Sequence, residues 1–107
     1  MALNSMLAKA VSSANVEVVV YTVPADKQFA NVSVNLTNVG AAATTVHLGI
    51  TNNASLTAVD YIETATQLAA NGGSLRRTNM ILSPNEKLIV KADSGNVGIR
   101  VFGLEQI

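Results

Sequence analysis

The chain has 107 residues, enough for one domain that buries roughly two-thirds of its unfolded surface. It contains no cysteine, which excludes a disulfide framework and a thiolate metal site. Seven Lys and Arg balance seven Asp and Glu, and charged residues are only 13% of the chain, so the net charge lacks the footprint of a nucleic-acid binder.

A near-neutral chain that is 49% hydrophobic is prone to associate, which points to a permanent assembly. With no Trp and 4% aromatic residues, the core has to be built from Val, Leu, Ile and Ala. No apolar run approaches the roughly 18 residues of a membrane-spanning helix. Lys9 interrupts the apolar N-terminal stretch, which therefore does not read as a signal peptide.

In chain order, Leu3, Met6, Leu7 and Ala10 fall at helical spacing, so Met1–Ala10 is expected to form a short amphipathic helix. Residues 1–15 then read as an N-terminal arm, and 16–107 as the folded domain. The arm either packs on its own domain or is disordered, or it orders against a neighbouring subunit through Leu3, Met6 and Leu7. Val16–Val23 is β-branched and closed by Pro24, the pattern of a strand followed by a turn. Over Phe29–Asn38, Ala30, Val32, Val34 and Leu36 alternate with Asn31, Ser33, Asn35 and Thr37, which predicts a strand with one buried face. Ala43–Thr51 repeats the alternation, with Val46, Leu48 and Ile50 inward and Thr45, His47 and Thr51 outward.

A polar loop over Thr51–Ser55 precedes a predicted strand at Ala58–Thr64. Asn71-Gly72-Gly73 is a strong turn signal, and Leu75–Leu82 is extended again. In the last quarter, Leu88, Val90 and Ala92 alternate with polar or outward positions, Asp93–Asn96 breaks the run, and Val97, Ile99 and Val101 resume it. That pattern predicts a β-hairpin, fed by the turn at Pro84. The fold class is therefore all-β: an antiparallel β-sandwich, jelly-roll or immunoglobulin-like, of about seven or eight short strands with a short N-terminal arm.

Few residues form a chemical constellation. His47, the lone histidine, sits on the polar face of its strand. Asp60 and Glu63 are three apart and point to opposite faces of a strand, so they do not converge as an acid/base pair. Asp93-Ser94-Gly95-Asn96 lacks the carboxylate spacing of a calcium loop and reads as a turn held by its Asp and Asn side chains. Asn31, Asn35 and Asn53 begin glycosylation-type triplets that a chain rich in Asn, Ser and Thr produces by chance. Arg76 and Arg77 could bind phosphate or an acidic partner, or stand as solvent-exposed charge; at most one of the two can join a given face, and Arg77 could pair across an interface with Glu63 or Glu105. No catalytic residue, cofactor site or metal site is expected, and the chain does not read as an enzyme.

Several phrases in order resemble a family of small bacteriophage virion proteins. They include Val20-Tyr21-Thr22-Val23-Pro24-Ala25, Ala30–Asn38 followed by Gly40-Ala41, Asp60-Tyr61-Ile62-Glu63, and Leu68–Gly72. Leu75-Arg76-Arg77-Thr78, Leu82–Lys91, Asn96-Val97 and Val101–Glu105 complete the series. The resemblance implies a β-sandwich that decorates or cements a phage capsid, or holds a place in the tail or fibre. On that reading the chain is a homotrimer on the capsid surface, made in the host cytoplasm, whose partners are the major capsid protein and itself. No nucleic acid, membrane, small-molecule substrate or cofactor is implied. The alternative is a carbohydrate- or receptor-binding module on the virion surface, for which aromatic platforms are scarce.

Overall fold

The structure, a computed structural model, describes residues 2–107, with side chains described from Met6 onward. The strands are β1 (Ala2–Val11), β2 (Glu17–Thr22), β3 (Phe29–Asn38), β4 (Thr44–Thr51), β5 (Tyr61–Leu68), β6 (Ser74–Leu82), β7 (Lys87–Ala92) and β8 (Val97–Gln106). The described residues contain no helix. Two antiparallel four-stranded sheets form, in the orders β1-β8-β3-β6 and β2-β7-β4-β5. The pairings β1 with β8, β2 with β7, β3 with β6 and β4 with β5 are nested in sequence. A chain doubled back about its β4–β5 loop gives that nesting. Coiling the doubled ribbon sets β8 against β3 and β7 against β4, which is the jelly-roll form of the sandwich.

Alternation supplies the core. Ala30, Val32, Val34 and Leu36 of β3 are fully buried, as are Val46 and Leu48 of β4, Leu88, Val90 and Ala92 of β7, and Val97 and Val101 of β8. These side chains meet between the sheets, where apolar burial stabilises by about 25 cal/mol per Å2 removed from water. At the end of β3, the buried Asn38 side chain donates to the carbonyls of Ala42, Leu68 and Ala69 and accepts from the Gly40 amide. It ties the β3–β4 and β5–β6 connections together, so its burial is compensated. The expected turn at Asn71-Gly72 is present there, with both residues at positive φ (59° and 114°).

Four expectations are corrected. First, Ala2–Val11 is a strand, not a helix. An extra residue, Leu7, is inserted between the pairs Met6–Phe102 and Ala8–Val101, so Leu7, Ala8 and Ala10 all turn toward the core. A bulge in a period-two pattern yields spacings that imitate a helical face. Second, β7 and β8 are not a hairpin; they lie in different sheets, and Asp93–Asn96 crosses between them. Only β4 and β5 are consecutive strands of one sheet. Third, the strand predicted at Ala58 begins at Tyr61, because Thr57 and Asp60 close a turn first. Fourth, Thr51 is buried and Ile50 only half-buried. The β4–β5 register shifts at Leu48/Gly49, and the loop after β4 folds back over the sheet.

The four outer strands share a device. The central pairs β3–β8 and β4–β7 run in unbroken register. Each edge strand has a bulge: Leu7 in β1, Val20 in β2, Thr64-Ala65 in β5 and Thr78-Asn79 in β6. In the last two, the bulged residue sits at positive φ (Ala65 50°, Asn79 57°). Its amide donates to a side chain of the neighbouring central strand, Nδ1 of His47 at 3.1 Å or Oγ of Ser33 at 3.4 Å. Bulges twist an edge away from the flat ladder that another chain could extend. Edge-to-edge pairing with neighbouring chains is thereby discouraged, and the flat faces are left as the broad surfaces.

Candidate interaction face

The two sheets share a core but differ on their outer faces. On the β2-β7-β4-β5 sheet, the loop after β4 runs back across β7 to β2. The Ser55 hydroxyl and the Leu56 amide donate to Oε1 of Glu17 on β2, at 2.8 and 3.3 Å. Lys87 Nζ donates to the Asn52 carbonyl at 3.3 Å. Gly49 eases the close approach of the loop, since a Cβ there would stand 2.5 Å from Cδ2 of Leu56 and 3.0 Å from the Asp60 carbonyl oxygen. Ile89 points outward between Leu88 and Val90, opposite Val19 and Gly49, yet is fully buried under this strap. The loop is closed by Asp60, whose Oδ2 accepts from the Thr57 amide and hydroxyl at 2.8 and 2.9 Å. The hydrogen bond from the Thr57 amide is the main cause holding the Asp60 carboxyl below its usual range.

Among the described residues, the outer face of the β1-β8-β3-β6 sheet has no such cover. Strands β1, β3 and β6 contain no acid, and the one acid of β8, Glu105, turns to the other sheet, where its carboxylate accepts from the Tyr21 hydroxyl. Burial, and then that hydrogen bond and charge, push the Tyr21 phenol well above its ordinary value. Across the sheet, Lys9 pairs with Arg100, Arg100 with Asn35, and Asn35 with Arg76, so three cations and an amide form one transverse row. Lys9, Arg76 and Arg100 are exposed. Beside the row, Gly98 has no side chain and leaves an open depression lined by Lys9, Asn35, Thr37 and Arg100. Farther along the face lie Met6 (50% exposed), Phe102, Leu104 and Ile81 (59% exposed), with the Arg76 guanidinium 5.6 Å from the Phe102 ring centre.

Of the residues singled out in the sequence, Met6 and Arg76 therefore share this face. Leu7 turns inward against the core. The side chain of Leu3 lies outside the described residues, though its backbone pairs with Glu105 in β8. Arg77 faces the other way, opposite the buried Val34, and its Nη1 is 3.8 Å from Oε2 of Glu63 on β5. The anticipated Arg77–Glu63 pair thus forms within one chain rather than across an interface. Being surface-exposed, it is worth about 0–1 kcal/mol. Lys9 and Arg100 were not singled out, because only the β1–β8 register places them side by side.

His47 is the acceptor of the β5 bulge, and its ring meets Tyr61 edge-on at 6.1 Å. Asp60 and Glu63 are engaged separately, by Thr57 and by Arg77 with Thr66. At Asp93–Asn96 the side-chain hydrogen bonds come from Ser94 and Ser12, not from Asp93 or Asn96: Ser12 donates to the Ser94 carbonyl at 2.6 Å, and the Asn96 amide to Ser94 Oγ at 3.3 Å. Among the described residues no three His, Asp or Glu side chains gather as metal ligands do.

No family model and no curated protein matches the chain. Solved structures similar to it include a pentameric capsid protein isolated from metagenomic phage sequences, at 12% identity and a TM-score of 0.41, covering 95% of this chain and 60% of that one. A second pentameric capsid protein from metagenomic phage sequences, solved by iodide phasing, is 12% identical with a TM-score of 0.38, covering 95% of this chain and 64% of that one. The chain spans less than two-thirds of the length of either.

Proposed function

We propose that the chain is a structural protein of a phage virion that binds and stabilises the capsid shell as an oligomer, and that it performs no catalytic step. The observation that carries this reading is the uncovered β1-β8-β3-β6 face, where exposed apolar side chains lie beside an acid-free row of cations. A four-stranded sheet of nine- and ten-residue strands presents roughly 600 Å2 in projection, close to the ~800 Å2 per partner of a standard protein interface. Contiguous exposed apolar patches beyond a few hundred Å2 are uncommon on monomers and mark interaction sites. The ordered phrases from Val20 to Glu105 that resemble small phage virion proteins support the virion setting.

In this role the protein spans neighbouring shell subunits, and each copy adds a contact that holds them together. Several copies linked as a trimer gain avidity from simultaneous seating. The test is co-sedimentation of the purified chain with empty shells of its phage, with sedimentation velocity of the chain alone. The expected result is saturable binding at a fixed copy number per shell, by a species larger than a monomer. A monomeric chain that stays in the supernatant overturns the reading.

A further inference from the structure

The charge balance of the whole chain conceals a local imbalance. Strands β1, β8, β3 and β6 carry Lys9, Arg100, Arg76 and Arg77 against the single acid Glu105, which faces Tyr21. Arg77 is satisfied by Glu63 at the sheet edge. Lys9 and Arg100 are directly opposite one another in the β1–β8 register. Like charges directly opposite on neighbouring strands destabilise a sheet. Their strands offer no acid on that face to relieve the repulsion. The Gly98 depression opens beside this pair, with the Asn35 amide and Thr37 hydroxyl at its side.

We infer that this face binds a protein surface that sets carboxylates beside apolar side chains. One carboxylate enters the Gly98 depression, within reach of Lys9 and Arg100 on its rim. A second meets Arg76, and apolar side chains cover Phe102, Leu104, Met6 and Ile81. Arginine suits the task because its guanidinium takes a carboxylate with two parallel N–H donors. The inference rests on the reading of the chain as a protein that grips protein, and it names the face and the chemistry of the partner.

Three other occupants fit less well. A second copy stacked face to face offers Lys9, Arg76 and Arg100 no carboxylate, because Glu105, the one acid of these strands, is turned to Tyr21. A nucleic-acid backbone would engage the cationic row but leave the apolar half uncovered. A flat anionic membrane would satisfy both halves but has no protruding group for the Gly98 depression.

The experiment is an amide NMR titration of the full chain with a capped peptide alternating Glu and Leu. A peptide with Gln for Glu, a 12-base-pair DNA duplex and vesicles of phosphatidylglycerol serve as comparisons. The expected result is shifts concentrated at Lys9, Asn35, Arg76, Gly98 and Arg100. Affinity should fall at least tenfold for the Gln peptide and for the variant Lys9→Glu/Arg100→Glu, whose spectrum stays folded. Shifts centred on the opposite sheet, at Val19 or Lys91, overturn the inference. So does equal binding by the charge-reversed variant, no binding of the acidic peptide, or tighter Arg100-dependent binding of the duplex or the vesicles.

Shell co-sedimentation separates the two claims. Shells that hold the parent chain and the reversed variant equally well leave the virion role standing and remove this face from it. A parent chain that binds the peptide but not the shells removes the virion role and keeps the face.

Discussion

Ile81 and Ile89 are both outward-pointing isoleucines on opposite sides of one sandwich. Ile81 is 59% exposed, and Ile89 is fully buried. The difference lies in what the chain has built over each. Gly49, Leu56 and Glu17 hold a loop across Ile89, whereas β6 leaves Ile81 beside Asn31 and Leu104 in the open. The same fold thus covers Ile89 on one outer face, although Val19 and Val59 stay exposed on that side, and leaves Ile81 open on the other. An apolar face left bare by a chain able to cover its counterpart is the more informative surface.

The largest test of this contrast compares the two isoleucines. Ile89→Ala should lower unfolding stability by about 2–4 kcal/mol, as for a core truncation, while Ile81→Ala should stay within about 0.5 kcal/mol. Urea unfolding midpoints read both, and similar losses would remove the contrast. Next, Gly49→Ala should push the Leu56 side chain and the Asp60 carbonyl away from the sheet at a cost of about 1–3 kcal/mol, and limited proteolysis should then cut within residues 52–60. An uncut loop would show that the strap does not depend on Gly49.

Tyr21→Phe probes the junction between the sheets and should cost about 1–2 kcal/mol at neutral pH, because the Glu105 carboxylate loses its donor. The pH dependence follows from the raised phenol. The unfolded chain releases this proton near pH ~10, before the folded chain does. The stabilisation is therefore complete below that pH and is lost as the pH rises through the folded value. Tyr21→Phe should flatten the alkaline fall in melting temperature; an unchanged slope would remove Tyr21 from it. The smallest effect is expected for Arg100→Glu, within about 0.5 kcal/mol and stabilising in sign, because it relieves the repulsion with Lys9. A clear loss of stability would show that Arg100 serves the fold rather than a partner.

Much of the sandwich was legible in the sequence because burial on one face of a strand writes itself as alternation. Ala30, Val32, Val34 and Leu36 were assigned inward and are fully buried. Strand partnership was not legible. Leu88–Ala92 and Val97–Val101 alternate identically whether the Asp93–Asn96 break reverses the chain within a sheet or carries it to the other one. The bulge at Leu7 disguised β1 as a helix by shifting its inward set by one residue. The cationic row was invisible for the same reason as the partnership. Lys9, Arg76 and Arg100 are scattered in a neutral sequence, and only the strand order β1-β8-β3-β6 gathers them.

The most direct measurement is a side-chain-resolution image of the assembled virion. The account predicts that Lys9, Arg100, Phe102 and Ile81 are buried against acidic and apolar residues of a neighbouring protein, while the strap at residues 52–60 faces solvent. A chain seated through the strap, with the β1-β8-β3-β6 face open to water, would contradict it.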